Sequence, residues 1–257
     1  MSDLQPFFSQ LNTFFDRVFV ITLQRATDRH AHIQQELDGL NFELFFGKDK
    51  QQFSVEELKQ KGLYNESLAR QHHRYGKCMQ PGMIGCSWSH VEVYKTIIEK
   101  GYQQVLILED DVVINKQHVS IWPEVQKELP PNWELLYLGF TEKEKVPPFA
   151  FVKKAVYHIQ RVFGGLNYSH KTISNLYPKR CGKHVFKAGY HDCTHAYAVC
   201  LKGAEKLLAL QTPISFIADN LLAHAATNEL IEAYIIQPKL IEQLKQVGTT
   251  SASYVNQ

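Results

Sequence analysis

Long apolar runs are absent from this chain of 257 residues, and none approaches the roughly 20 residues that span a bilayer. Residues 1–8 hold no basic cluster and no extended apolar stretch, so a secretory signal peptide is not expected there. Cysteines are few and odd in number. Cys78, Cys86, Cys181, Cys193 and Cys200 follow no regular spacing, which argues against a disulfide framework and for a reducing compartment. Neither sign of charge is in excess: 28 Lys and Arg against 26 Asp and Glu give a net +2, which leaves no broad footprint for nucleic acid. Internal repeats and low-complexity segments are also missing. The expected location is the cytoplasm, with the inner face of a membrane as a surface the protein can visit. Nothing in the composition fixes an oligomeric state.

What is present suits an ordinary folded protein, with 44% hydrophobic and 21% charged residues. The length fits one large α/β domain or two small ones, and the expectation is a single domain over 1–257. Twelve histidines and 12% aromatic residues lean toward a polar-ligand site. Residues 17–23 read as a buried strand, 25–40 as a helix with Asp28 near its start, and 42–46 as a second strand. That series opens a doubly wound sheet. Ser54-Val55-Glu56-Glu57 has the form of a capping box. Residues 65–81 are polar and read as a loop. Residues 82–100 read as a helix with Trp88, Val91, Tyr94 and Ile98 on one stripe, stopped by Gly101. Further on, 117–129 is broadly helical, 133–138 a strand, 139–193 loops with short elements, and 196–199 a strand. The last elements are helices at 202–210 and 217–226 and a strand at 232–236, before a polar, frayed tail after Gly248.

One stretch organises the rest. In Val105-Leu106-Ile107-Leu108-Glu109-Asp110-Asp111, four apolar residues run directly into three carboxylates. The apolar run reads as a strand buried on both faces of a parallel sheet. In such sheets ligands bind beyond the carboxyl ends of the strands. Adjacent carboxylates repel one another there, and desolvation pushes their pKa values up. A divalent cation removes that conflict, and hard oxygen ligands select Mg²⁺ or Mn²⁺, commonly shared with substrate phosphates. A solvated acidic turn after a core strand accounts for the same three residues, so both readings stand at this point.

The order of several segments carries a family resemblance. Phe19-Val-Ile-Thr-Leu-Gln-Arg25 with Asp28-Arg29 opens the chain, and Gly85-Cys-Ser-Trp-Ser-His90 heads a helix. The acidic stretch comes next. Thr194-His-Ala-Tyr-Ala-Val199 with Gly203-Ala204-Glu205, and then Pro213-Ile-Ser-Phe-Ile-Ala-Asp219-Asn-Leu-Leu222, complete the set. Together they resemble the family 25 glycosyltransferases, which include lipooligosaccharide and collagen galactosyltransferases. The resemblance implies a GT-A-like nucleotide-binding fold: an α/β domain with a mostly parallel central sheet flanked by helices. It also implies inverting transfer of a hexose, galactose first among them, from a UDP-sugar to a glycan acceptor such as lipooligosaccharide core.

By that resemblance Asp111, with Glu109, is the metal site, for Mn²⁺ or Mg²⁺, and Asp110 lies near the ribose or completes the site. The metal would stabilise the UDP leaving group. Asp219 matches the family's acidic residue before a late helix and is the expected base, with metal ligation as its alternative. Backbone groups of Thr22 and Leu23 would meet the uracil, and Arg25 or Arg29 the phosphates. The family usually has Asn where this chain has Thr22, which takes away a side-chain contact there. Ser89 and His90 are placed at the donor site.

Three other readings complete the set. Cys181, His184, His191 and Cys193 could make a tetrahedral zinc site, although packing roles fit their spacing better. The region 139–193 carries ten Lys or Arg against three acids and suits an anionic acceptor. The Ser87 segment lacks the second glycine of a nucleophile elbow, so a serine hydrolase is not expected. The rival functions are a non-catalytic sugar-nucleotide or glycan-binding module and a metal-dependent phosphohydrolase. Glu109 stands where phosphatases of the haloacid dehalogenase type need an Asp nucleophile.

Overall fold

A computed structural model describes residues 4–245 and Gly248. The expected frayed tail beyond Gly248 and the start of the 1–8 segment lie outside the described residues. The strands are β1 (Arg17–Thr22), β2 (Glu43–Phe46), β3 (Gln104–Glu109), β4 (Val112–Ile114), β5 (Leu135–Thr141), β6 (Lys179–Arg180), β7 (Val185–Lys187), β8 (Asp192–Cys200), β9 (Ala233–Ile236) and β10 (Ile241–Gln243). The α-helices are α1 (Gln5–Phe14), α2 (Thr27–Glu36), α3 (Val55–Gln60), α4 (Glu66–His72), α5 (Pro81–Lys100), α6 (Trp122–Glu128), α7 (Ala150–Val162), α8 (His170–Ser174), α9 (Leu201–Leu210) and α10 (Ala218–Thr227).

Eight strands form one sheet in the order β2-β1-β3-β8-β5-β9-β7-β6, and β4 pairs with β10 in a separate ladder. β1 pairs in parallel with β2 and β3, and β5 with β9, whereas β8 and β7 run against their neighbours. Six of the eight strands therefore point the same way. The expected α/β class, with a mostly parallel sheet between helices, is what forms. Alternation explains it. Leu106 and Leu108 of β3 enter the core on one face with Val18 and Val20, while Val105 and Ile107 enter the other with Phe19. The first face is covered by α1, α2 and α6 through Phe8, Ile33 and Val125. The second is covered by α5, α9 and α10 through Ile97, Leu207 and Leu222. Strands buried on both sides need such unbroken apolar runs.

Several expectations are corrected. Residues 65–81 are not all loop: Asn65 caps α4, its side chain accepting from the Leu68 N–H at 3.0 Å. Ser54 precedes α3 but makes no side-chain cap hydrogen bond, so the capping box does not close. Helix α5 buries Ser87, Ser89 and Val93 as well as Val91 and Tyr94, because α9 and the sheet enclose it on more than one side. The region 139–193 contains a 13-residue helix, α7. Helix α1 stood outside the expectations. It buries Phe7, Phe8 and Leu11, and Phe14 meets Trp122 edge-on at 5.3 Å.

Gly139 marks the point where the centre of the sheet is tightest. The register of β5 on β8 shifts there, and an added Cβ would fall 2.5 Å from the Ile241 carbonyl and against the buried His195 ring. β5 is held between β8 and β9, so it cannot move away from the Ile241 carbonyl of the β10 ladder. Gly139→Ala is therefore expected to destabilise by about 2 kcal/mol, measured as a lower urea midpoint at unchanged slope.

Candidate functional site

The acidic stretch emerges where the topology requires. β1, β2 and β3 run parallel, so their carboxyl ends open on one side. β3 ends at Glu109, Asp110 and Asp111 make a turn, and β4 leaves for its ladder with β10. The Leu244 N–H donates to the Asp111 carbonyl at 2.9 Å, which ties that turn to the chain following β10. The result is a cleft of about 190 Å³, open to solvent. Thr22, Leu23, Arg29, Ser89, His90, Glu109, Asp110 and Asp111 all line it.

The three carboxylates differ in their partners. Asp110 is buried; it accepts from Thr22 Oγ1 at 2.6 Å and is paired with the Arg29 guanidinium. Arg29 also reaches Asp111 at 3.6 Å. Gln243 Nε2 donates to Glu109 at 3.1 Å and to Asp111 at 3.4 Å, so oxygens of both face the same amide. Burial, followed by repulsion from Asp111, Asp110 and Asp219, pushes the Glu109 carboxyl up to about 8. Burial also raises Asp111, against the pull of Arg29. Asp110 is thus a structural hub holding Thr22 and Arg29, whereas burial disfavours the charged forms of Glu109 and Asp111.

That imbalance tests the metal reading. Two carboxylates share one amide donor, face a cleft, and resist ionisation because they are buried and lie beside other acids. They offer the hard oxygen set that suits Mn²⁺ or Mg²⁺, and the residues fit. A second, softer group lies beside them. Ligand atoms of Cys86, His90 and Glu109 lie within 4.8 Å of one another. His90 bonds the Tyr197 hydroxyl through Nδ1 at 2.7 Å, and burial drives its pKa down to about 4, so the ring is neutral. Ser89 accepts from the Lys48 N–H at 2.8 Å and donates to the Gly85 carbonyl at 2.7 Å. It fastens the loop after β2 to α5. Gly85 permits that approach, since a Cβ there would lie 2.5 Å from the Lys48 carbonyl.

Arg25 stands apart from the other predicted donor residues. It pairs with Asp49 and lines an adjoining trough that shares Lys48 and Asp49 with the main cleft. Asp219 does not line the cleft either. It sits in the first turn of α10 and accepts from the backbone N–H groups of Asn220 at 2.8 Å and Cys193 at 3.1 Å. Its charge nonetheless reaches Glu109 and Cys86. Burial raises its pKa, against those backbone bonds and Lys143. Cys181, His184, His191 and Cys193 do not gather into a ligand set among the described residues. His184 bonds the Gln237 carbonyl through Nδ1 at 3.1 Å, and His191 Nε2 accepts from the Gly189 N–H at 2.9 Å, which are packing roles.

Lys48, Asp49, Lys50, Cys86, Gln243 and Asp192 belong to this neighbourhood and were not predicted. Gly47-Lys48-Asp49-Lys50 follows directly on a strand already expected at 42–46, so the rule of carboxyl ends could have found it. Gln243 arrives from a distant ladder and leaves no local signal.

The family model described as "Glycosyltransferase family 25 (LPS biosynthesis protein)" matches residues 15–222. The chain is 27% identical over 205 residues to procollagen galactosyltransferase 1 of Danio rerio, covering 76% of this chain and 28% of that protein. It is 26% identical over 207 residues to inactive glycosyltransferase 25 family member 3 of Homo sapiens, covering 77% and 29%. The chain thus spans under a third of the length of these relatives. Among solved structures it is similar to mouse xyloside xylosyltransferase 1, at 12% identity and a TM-score of 0.39, over 85% of this chain and 71% of that one. Among the described residues, no helix is long and apolar enough to cross a membrane.

Proposed function

The chain belongs to glycosyltransferase family 25, and on that footing we propose that it is a metal-assisted, inverting transferase moving a hexose from a UDP-sugar to a glycan acceptor. Galactose is the leading donor sugar, by analogy with relatives named galactosyltransferases. The observation that carries the proposal is the carboxylate turn at the open ends of three parallel strands. There Arg29 pairs with Asp110 and Thr22 donates to it, while Gln243 bridges Glu109 and Asp111.

In this reading Glu109 and Asp111 hold Mn²⁺ or Mg²⁺, which when bound offsets the charge growing on the departing UDP. Arg29 lies within reach of the diphosphate and keeps the turn in place. Thr22 and Leu23 offer backbone groups to the base, and Lys48 and Lys50 add positive charge at the mouth of the same cleft. Asp219 takes the acceptor hydroxyl proton, with Lys143 and the Cys193 and Asn220 N–H groups stabilising its charged form. The basic region 139–193 supplies the acceptor side and suits an anionic glycan such as a lipooligosaccharide core.

A thermal-shift panel of UDP-sugars with Mn²⁺ tests the donor site, because a ligand bound only to the folded state raises apparent stability. Asp111→Ala should weaken Mn²⁺-dependent UDP binding about 100-fold or more, as loss of a charged ligand from a buried set implies. Unchanged affinity would remove Asp111 from the site. Transfer assays then separate the rivals. Binding without turnover marks a carbohydrate-binding module, and phosphate release from monoesters marks a phosphohydrolase.

A further inference from the structure

Helix α7 is amphipathic in the reverse sense. A helix resting on a globular protein normally turns its apolar stripe inward. None of the residues of α7 is buried, and the inward side carries Lys154, His158 and Arg161 with only Ala150 and Tyr157 packed on a small core cluster. Lys154 Nζ donates to the Ser174 carbonyl at 2.6 Å, and Tyr157 packs under the Arg74 guanidinium at 5.2 Å. On the opposite side Phe151, Val152, Val156, Ile159, Val162 and Phe163 form a continuous stripe. They are 69%, 48%, 44%, 58%, 75% and 84% exposed. No other segment among the described residues exposes so many large apolar side chains together.

Charge decides what covers that stripe. From Lys145 to His191 the chain has nine Lys or Arg and no Asp or Glu. A second copy docked on this face would set two such segments against each other, and like charges oppose that contact. The stripe also belongs to a single helix. An apolar face on a short helix, with basic residues beside it, is the form that lies in the interface of an anionic bilayer.

We propose that α7 is a membrane-surface anchor that inserts its Phe151–Phe163 stripe among the acyl chains of anionic lipids, with Lys145 and Lys153 meeting the headgroups. A chain of tyrosines ties the anchor to the start of α10. Tyr157 meets Tyr168 at 6.1 Å, Tyr168 meets Tyr190 at 4.9 Å, and the Tyr190 hydroxyl donates to Asn220, next to Asp219, at 3.0 Å. The anchor thus adjoins the side of the molecule where Asp219 lies.

Co-sedimentation of the full chain with vesicles tests this without any sugar donor, so its outcome is separate from that of the transfer reading. The protein should pellet with phosphatidylcholine vesicles containing phosphatidylglycerol and stay in solution with phosphatidylcholine alone. Added salt should weaken the binding. The double substitution Phe151→Ser with Ile159→Ser should weaken it at least about tenfold, given the apolar area removed. Both side chains are exposed, so the fold should persist, and an unchanged circular dichroism melt verifies that. Failure of the parent protein to pellet with anionic vesicles, or equal binding by the double variant, overturns the anchor. A concentration-dependent dimer in sedimentation velocity that the double variant abolishes would assign the stripe to a second copy instead.

Discussion

Asp219→Asn is expected to lower the transfer rate by about a thousandfold, the scale of a lost general base, while Mn²⁺-dependent UDP binding stays within about twofold. The separation between the two readouts follows from where the side chain sits. Asp219 lies outside the lining of the donor cleft and is fixed by two backbone N–H donors at the start of α10. Asparagine keeps the oxygen that accepts one of those bonds and removes the basicity. Burial raises the Asp219 carboxyl above the ordinary range, which favours proton uptake, and Lys143 favours the anion. Lys143 is itself held by Asp192 at 3.1 Å. Loss of UDP binding together with transfer would instead make Asp219 a metal ligand, the alternative that its repulsion of Glu109 keeps in view. Transfer that persists would place the base elsewhere, with Asp192 the next acid to examine.

The comparison with relatives sharpens that experiment. The family includes members named inactive as well as members named galactosyltransferases, so descent alone does not decide turnover. On the proposed reading the decision rests on a few side chains: Glu109 and Asp111 for the metal, and Asp219 for the proton. On that reading, loss of Asp219 would leave the fold and UDP binding and end transfer, whereas loss of Asp111 would weaken the binding itself.

Much of the sheet could be read in advance, because strands buried on both faces announce themselves as unbroken apolar runs. Val18 to Ile21 and Val105 to Leu108 are such runs, and their parallel pairing places the acids at an open end. The turn itself was legible too, although the three carboxylates read equally as a solvated acidic turn and as a cation site. The division of labour among them was not. Asp110 turns structural only because Thr22, 88 residues away in sequence, and Arg29 converge on it. Gln243 joins Glu109 to Asp111 from 134 residues away, and a glutamine carries no periodic or charge signal. Helix α7 was missed for a related reason. Its apolar stripe lies next to Pro147-Pro148 and Gly164-Gly165, breakers that read as loop, and no core partner awaits it. Helix α4 was hidden by polar composition, and only the Asn65 cap hints at it.

Glu109→Gln should make the metal-free protein more stable while ending metal-assisted function. The folded-state pKa of Glu109 is near 8, against an ordinary value of 4.5. Below about pH 4.5 the carboxyl is protonated in both folded and unfolded chains, and it contributes no pH-dependent difference. As pH rises from 4.5 toward 8, the unfolded chain releases this proton while the folded one retains it, so stability falls across that window. Above 8 the whole penalty is present, roughly 2–4 kcal/mol once solvent relaxation around the cleft is allowed for. Glutamine keeps the shape and has no charge to desolvate. The variant's urea midpoint should therefore exceed that of the parent at pH 8 and converge with it near pH 4.5. Added Mn²⁺ should raise the parent's midpoint and leave the variant's nearly unmoved, because one of the two proposed carboxylate ligands is gone. A variant less stable than the parent at pH 8, or equally responsive to Mn²⁺, would show that Glu109 is already satisfied by the protein and that its place in the cleft is structural.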